Sequence, residues 1–245
     1  MSDKARRLVL PALLSLPVVA WAATAKPPHH HAFTARIGFG YASSTGTSSS
    51  RNLNTRDSVR YLRHLWRYSG RLNYNYATDA AVVSEDRLTI NLKAERYFSS
   101  QKENFGLLAL RYDRNPFDGY RRYQVESIGI GHRLVNRTDL HVDVEGGFGF
   151  RQNYFLTGGS ANVPALRAGL DVSWHMSSKS LLSERVETVA TTQGTLFTSE
   201  TGLSAPIDRG LALKISENVD HYTSPPLGFA PTSTFTTVDL IYNLV

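Results

Sequence analysis

From Thr34 to Leu244, apolar and polar residues alternate one by one in short segments that recur along the chain. The segment DLHVDVEGGFGFR (139–151) sets Leu140, Val142, Val144, Gly146, Phe148 and Phe150 against Asp139, His141, Asp143, Glu145, Gly147, Gly149 and Arg151. Successive strand side chains point to opposite faces, so each segment is a strand with one apolar and one charged surface. TARIGFGY, GRLNYNY, RLTINLKAERYF, ALRAGLDVSWHM, GLALKISENV and TVDLIYNL repeat the pattern. A soluble sandwich turns the apolar face inward and a barrel in lipid turns it outward. The period alone does not choose between them.

The N-terminus bears on the choice. MSDKARRLVLPALLSLPVVAWAATA has basic Lys4, Arg6 and Arg7, an apolar run from Leu8 to about Val19, and small residues beyond. This is the pattern of a secretory signal peptide over residues 1–25, with cleavage after Ala22 or Ala25. Residues 26–32 read as a tail and 33–245 as a single all-β domain. No later apolar run is long enough to span a bilayer as a helix, and the chain has no cysteine. An exported domain without disulfides needs its own core or a closed hydrogen-bonded sheet.

Connection lengths point to the closed sheet. ASSTGTSSSRNLNT, ATDAAVVSE, RNPFDGYR, QNYFLTGGSANVP, TTQG and HYTSPPLGFAPTST alternate with YSG, SSQK, VNR, SSK and PID as long and short, with TTQG the one weak long member. Short periplasmic turns and longer external loops mark an even-stranded outer-membrane barrel. The expected fold is therefore a transmembrane antiparallel up-and-down β-barrel of about twelve strands. A soluble periplasmic β-sandwich is the alternative.

Weaker segments qualify this. RYLRHLWRY (60–68) fits either facing, and segments 179–190 and 195–205 alternate poorly. In RYQVESIGIGHRL the apolar parity switches between Val125 and Ile128, which predicts a bulge. Aromatic residues gather near strand ends, as at a membrane interface. Trp66, Tyr68, Tyr97, Phe98, Trp174 and Tyr242 are expected at the periplasmic girdle. Tyr41, Tyr76, Tyr112, Tyr123, Phe150, Tyr154, Phe197, Tyr222 and Phe235 are expected at the external one.

The block ENFGLLALRYDRNPFDGYRRYQVESIGIGHRL, the following DLHVDVEGGFGFR and the ending NVDHYTSPPLGFAPTSTFTTVDLIYNL carry a resemblance. They resemble the salt-induced outer membrane protein family of Gram-negative bacteria, a DUF481-like domain of unknown function, from about Gly38 to the C-terminus. The resemblance implies an outer-membrane barrel associated with salt or envelope stress, and it supplies no active site. One departure is the ending Tyr242-Asn243-Leu244-Val245, where such barrels usually close on an aromatic residue.

The face opposite the apolar one collects Arg36, Arg71, Arg87, Lys93, Arg111, Arg151, Arg167 and Lys214 with Glu95, Asp113, Asp143, Glu145 and Asp171. His141 and His175 share that face. Two arrangements are open. The charges cross-pair and fill the lumen, or they line a narrow pore whose basic excess favours anions. The first is the expectation taken forward. The functional reading is a structural or stress-associated envelope protein in the outer membrane, not an enzyme. Its partners are outer-membrane lipids and the barrel assembly machinery.

A lipid hydrolase is a further alternative, built on His175 and Ser177 with Glu184 or Glu187 as orienting acid. Basic residues spread singly along the strands make a nucleic-acid partner improbable. His29-His30-His31 reads as a solvated tail patch, so neither a metal nor a cofactor is expected.

Overall fold

The computed structural model describes residues 31–44, 50–177, 179–208, 210–226 and 228–244. The signal-peptide reading and the tail up to residue 30 lie outside these. Twelve strands run in chain order: β1 (His31–Ser44), β2 (Ser50–Arg63), β3 (Trp66–Asp79), β4 (Val82–Tyr97), β5 (Asn104–Asn115), β6 (Tyr120–Asn136), β7 (Leu140–Phe155), β8 (Ser160–Ser177), β9 (Ser180–Thr191), β10 (Gly194–Asp208), β11 (Leu211–Tyr222) and β12 (Thr232–Asn243). Each pairs antiparallel with its sequence neighbours, and β1 pairs with β12 to close the ring. The closing seam is short, with Arg36–Phe39 set against Leu240–Asn243. Closure leaves no strand edge, the condition for a sheet to cross hydrocarbon.

The facing is the membrane one. Phe148, Leu166 and Ile130 are each at least 65% exposed on the outer wall, while Asp143, Glu145, Asp113 and Glu95 are buried inside. A continuous exposed apolar band of this kind does not suit a soluble sandwich. On β7 the band runs from Leu140 to Phe150. At ~3.3 Å per residue and a tilt of ~40°, that rise is about 25 Å, the height of a barrel's lipid-facing belt.

Call the end where β1 begins and β12 finishes the near end, and the other the far end. The far connections are shorter than the sequence predicts, because strands run through most of the expected loop residues. ATDAAVVSE becomes a two-residue turn with left-handed Ala80 and Ala81 (φ 46° and 65°), the geometry of a tight hairpin. QNYFLTGGSANVP leaves only residues 156–159 outside β7 and β8. Crossing a bilayer takes about 9–11 residues, so β6, β7 and β8, at 17, 16 and 18 residues, project beyond the hydrocarbon.

The predicted bulge between Val125 and Ile128 is absent. Register is continuous there and shifts instead between Tyr120 and Arg122 and between Arg133 and Val135. The apolar parity switches because β6 is apolar on both faces: Val125 and Tyr123 are buried in the lumen, and Ile128 and Ile130 face outward. Beyond β8 the outer wall loses its purity. Register carries an outward row from Val172 through Glu184, Thr201 and Glu217 to Thr236. Ser199 and Thr201 both donate hydrogen bonds to Glu184 there.

Candidate functional site: a layered lumen

The lumen is filled in three layers. At the near end Tyr97 of β4 and Phe105 and Leu107 of β5 form an apolar layer with Leu62 and Leu65. The rings of Tyr97 and Phe105 meet edge to face at 5.5 Å. Gly131 lies under this layer, and a Cβ there would stand 2.3 Å from the Phe105 ring. The Arg67 and Arg133 guanidiniums lie over the Tyr97 ring at 5.5 and 5.7 Å, a favourable cation–π arrangement.

The middle layer is a web of ion pairs. Arg67 of β3 binds Glu95 through both oxygens and reaches Asp143 of β7 at 3.2 Å. Arg133 holds Asp143 at 2.7 and 3.0 Å. Lys93 pairs with Glu145 and lies 3.4 Å from Asp171, while Arg167 bridges Glu145 (2.9 Å) and Glu187 (2.7 Å). Arg87 joins Asp113 (2.8 Å) to Asp220 of β11. Arg185 pairs with Asp171, Lys214 with Glu200 at 2.9 Å, and Arg56 with Asp239 at 3.1 Å. Arg111 of β5 reaches Glu187 of β9 at 3.6 Å. Most of these pairs link neighbouring strands, but Arg67–Asp143, Lys93–Asp171, Arg87–Asp220 and Arg111–Glu187 join strands four or five spacings apart and so cross the lumen.

At the far end Tyr120, Tyr123, Val125, Ala165, Val189, Leu196 and Tyr222 make a buried cluster against Phe155. Arg151 sits among its rings, 4.6 Å from Tyr123, 5.2 Å from Tyr222 and 5.3 Å from Tyr120. Its hydrogen bonds go to Asn153 (2.8 Å) and the Tyr222 hydroxyl (3.3 Å). Pro226 and Phe229, from the connection between β11 and β12, lie against the β5–β6 turn at this mouth. A Cβ at Gly119 would be 2.8 Å from both Pro226 and Phe229.

The expected lumen residues fall into two groups. Arg71, Arg87, Lys93, Glu95, Arg111, Asp113, Asp143, Glu145, Arg151, Arg167, Asp171 and Lys214 stand inside the barrel. Arg36, His141 and His175 share the inward parity but are exposed at the near end, outside the web. The web also includes Arg67, Arg185, Glu187 and Glu200, which lie in segments that alternate weakly or fit either facing, together with Arg56, Arg133, Asp220 and Asp239. Asp220 and Asp239 carry the parity of the charged face of segments that alternate cleanly, so they were legible and missed. Ser177 Oγ bonds to Ser180 Oγ, not to His175. Glu187 is held by Arg167 inside while Glu184 points outward, so the hydrolase residues are not assembled.

The girdle needs a correction. Tyr97, Tyr123 and Tyr222 are buried in the lumen, and Phe235 lines a lumen cavity. Their parity is that of the charged residues on the same strands, and nearness to a strand end does not override it. Trp66, Tyr68, Trp174, Tyr242, Tyr41 and Phe150 are exposed on the outer wall, and Phe98 is exposed at the near end. Tyr76 and Tyr112 also face outward, partly covered.

Among the described residues, cavities of about 70 and 20 Å³ lie between the ion pairs. At roughly 10–15 Å³ of such volume per water, the larger holds a few molecules.

Fold and lumen together define a twelve-stranded barrel of the outer-membrane type. The chain belongs to the family described as "Protein of unknown function, DUF481", whose model matches residues 37–244. Comparison with curated proteins gives no match. Among solved structures it is similar to the NanC porin, at 9% identity and TM-score 0.51 over 87% of this chain and 100% of that one. It is also similar to the translocator domain of the autotransporter NalP from Neisseria meningitidis, at 11% identity and TM-score 0.47 over 89% of each chain. The KdgM porin aligns at 11% identity and TM-score 0.44 over 86% of this chain and 98% of that one. At 9% identity the likeness to the NanC porin is one of fold.

Proposed function

We propose that this barrel is a non-enzymatic structural component of the outer membrane whose interior is closed to solutes. The cross-lumen contacts carry this reading: Arg87 of β4 with Asp220 of β11, Arg111 of β5 with Glu187 of β9, and Tyr120 of β6 with Tyr222 of β11. Ion pairs sealed between two apolar layers are screened far less by salt than exposed ones. A wall stiffened in this way keeps its strength at high ionic strength, which agrees with a role under salt or envelope stress.

The test is ion flux into vesicles. Refolded protein in liposomes loaded with a chloride-sensitive dye is expected to leave the dye signal at the rate of protein-free liposomes. A rate that rises with protein content contradicts the reading and favours a narrow anion channel. The basic excess of the lumen is the observation on that side.

A further inference from the structure

The lumen carboxylates are all claimed. Glu95, Asp113, Asp143, Glu145, Asp171, Glu187, Glu200, Asp220 and Asp239 each pair with at least one arginine or lysine. The converse fails among the arginines of inward parity. Arg36 and Arg60 are exposed, Arg151 is held by Asn153 and the Tyr222 hydroxyl, and Arg71 has neither recourse. Among the described residues no carboxylate lies within 4.0 Å of its guanidinium and no hydrogen bond reaches it. The acids that act on it from further away, Asp171, Glu200 and Glu187, are each bound to another cation.

Arg71 occupies the middle of an inward row in which register sets it between Ser58 and Asn91, with Arg111 beyond Asn91. It lines both lumen cavities, as do Asn91, Arg111 and Glu187. Arg185 and Thr198 line the larger one. Arg111 adds a buried Nε that has no hydrogen-bond partner. Arginine side chains thus converge on a space of about 70 Å³ with donors to spare. Aromatic and apolar layers cover it at both ends. Arg71 is partly buried, and a guanidinium confined in the lumen with no carboxylate paired to it is disfavoured.

We propose that the larger cavity is a binding site for one small inorganic oxyanion of the phosphate class, held by Arg71 with Arg111 and Arg185. The planar guanidinium fork matches the oxygens of such an anion. The cavity volume excludes an oligosaccharide or a lipid headgroup with its glycerol. Glu187, Glu200 and Asp220 also border the space, but each is already engaged by a cation and leaves Arg71 to the guest. This site deepens the closed-lumen reading and rests on it.

The test is equilibrium dialysis of inorganic phosphate against the full chain refolded in detergent in its presence, at fixed ionic strength. Wild type is expected to bind about one phosphate per barrel. Arg71→Gln should bind at least tenfold more weakly, and Arg71→Lys, which keeps the charge but loses the fork, should fall between. In phosphate-free chloride buffer Arg71→Gln should unfold in urea no earlier than wild type, because an unneutralised charge has gone. Phosphate should raise the wild-type midpoint and leave that of the variant unchanged. No binding by wild type, or equal binding by Arg71→Gln, overturns the site and marks any phosphate retained as an adventitious ion only. The two readings fail separately: absent phosphate binding with no chloride flux removes the site alone, and flux with Arg71-dependent binding removes the closed lumen alone.

Discussion

Tyr120 of β6 and Tyr222 of β11 meet inside the barrel with ring centroids 5.8 Å apart, although five strand spacings separate them around the wall. Arg151 lies against both rings. Two opposite walls are thereby tied together at the far mouth, and the same residues keep water from the charges beneath. Replacing Tyr222 with Ala removes a buried ring and opens a cavity, a change that costs about 3–5 kcal/mol in well-packed cores. The urea unfolding midpoint of the variant in vesicles should fall accordingly. An unchanged midpoint would mean that the rings do not pack as described.

The ion pairs should divide by burial. Glu95 is 0% exposed and bound to Arg67 through both oxygens, whereas Arg137 and Asp139 pair at 3.1 Å in an exposed turn. Breaking a buried pair strands its partner and costs about 3–5 kcal/mol, while an exposed pair contributes ~0–1 kcal/mol. Glu95→Ala should therefore destabilise strongly in both low and high salt. Asp139→Ala should have little effect in either. Equilibrium unfolding at two salt concentrations distinguishes them.

The outer wall offers a change of opposite sign. Glu217 lies on the outward row between Thr201 and Thr236, in a strand whose other outward residues include Leu213, Ile215 and Val219. A carboxylate at that depth is unfavourable against lipid, though less so than the ~2–4 kcal/mol of a basic residue. Glu217→Leu should stabilise the folded barrel by about 1 kcal/mol in vesicle unfolding experiments. Destabilisation would show that a polar surface covers this row.

Gly119 has φ 83° and lies under Pro226 and Phe229. A β-branched residue is strained at that backbone angle and meets those residues at once. Gly119→Val should lift Pro226 and Phe229 from the mouth, so a protease added at the far side should cut next to them faster than in wild type. Equal cutting rates would show that they do not rest there.

Strand number was legible in the sequence because it follows from period-two alternation, which every lipid-crossing segment must keep. The wall facing was read instead from the N-terminal export pattern and the connection lengths, since the period fits a sandwich equally well. Where the chain leaves the lipid the demand for alternation ends. ATDAAVVSE and QNYFLTGGSANVP therefore resemble loops while hairpin pairing continues through most of them. Segments 179–190 and 195–205 alternate weakly for a related reason, since Glu184 and Thr201 occupy outward positions. Tyr97 could have been assigned correctly, because it shares parity with Lys93 and Glu95. The partners within the lumen could not. Arg87 and Asp220 are joined only by the curvature and stagger of the closed ring, which no local pattern records.

The central claim is a lumen closed by its own side chains, and single-channel recording in planar bilayers tests it most directly. Wild type is expected to give no conductance steps above the lipid baseline. A double variant that removes both mouth rings, Tyr120→Ala with Tyr222→Ala, is expected to admit brief small steps at most, because the ion-pair layer still stands beneath. Regular, long-lived steps from the wild-type protein would contradict the account.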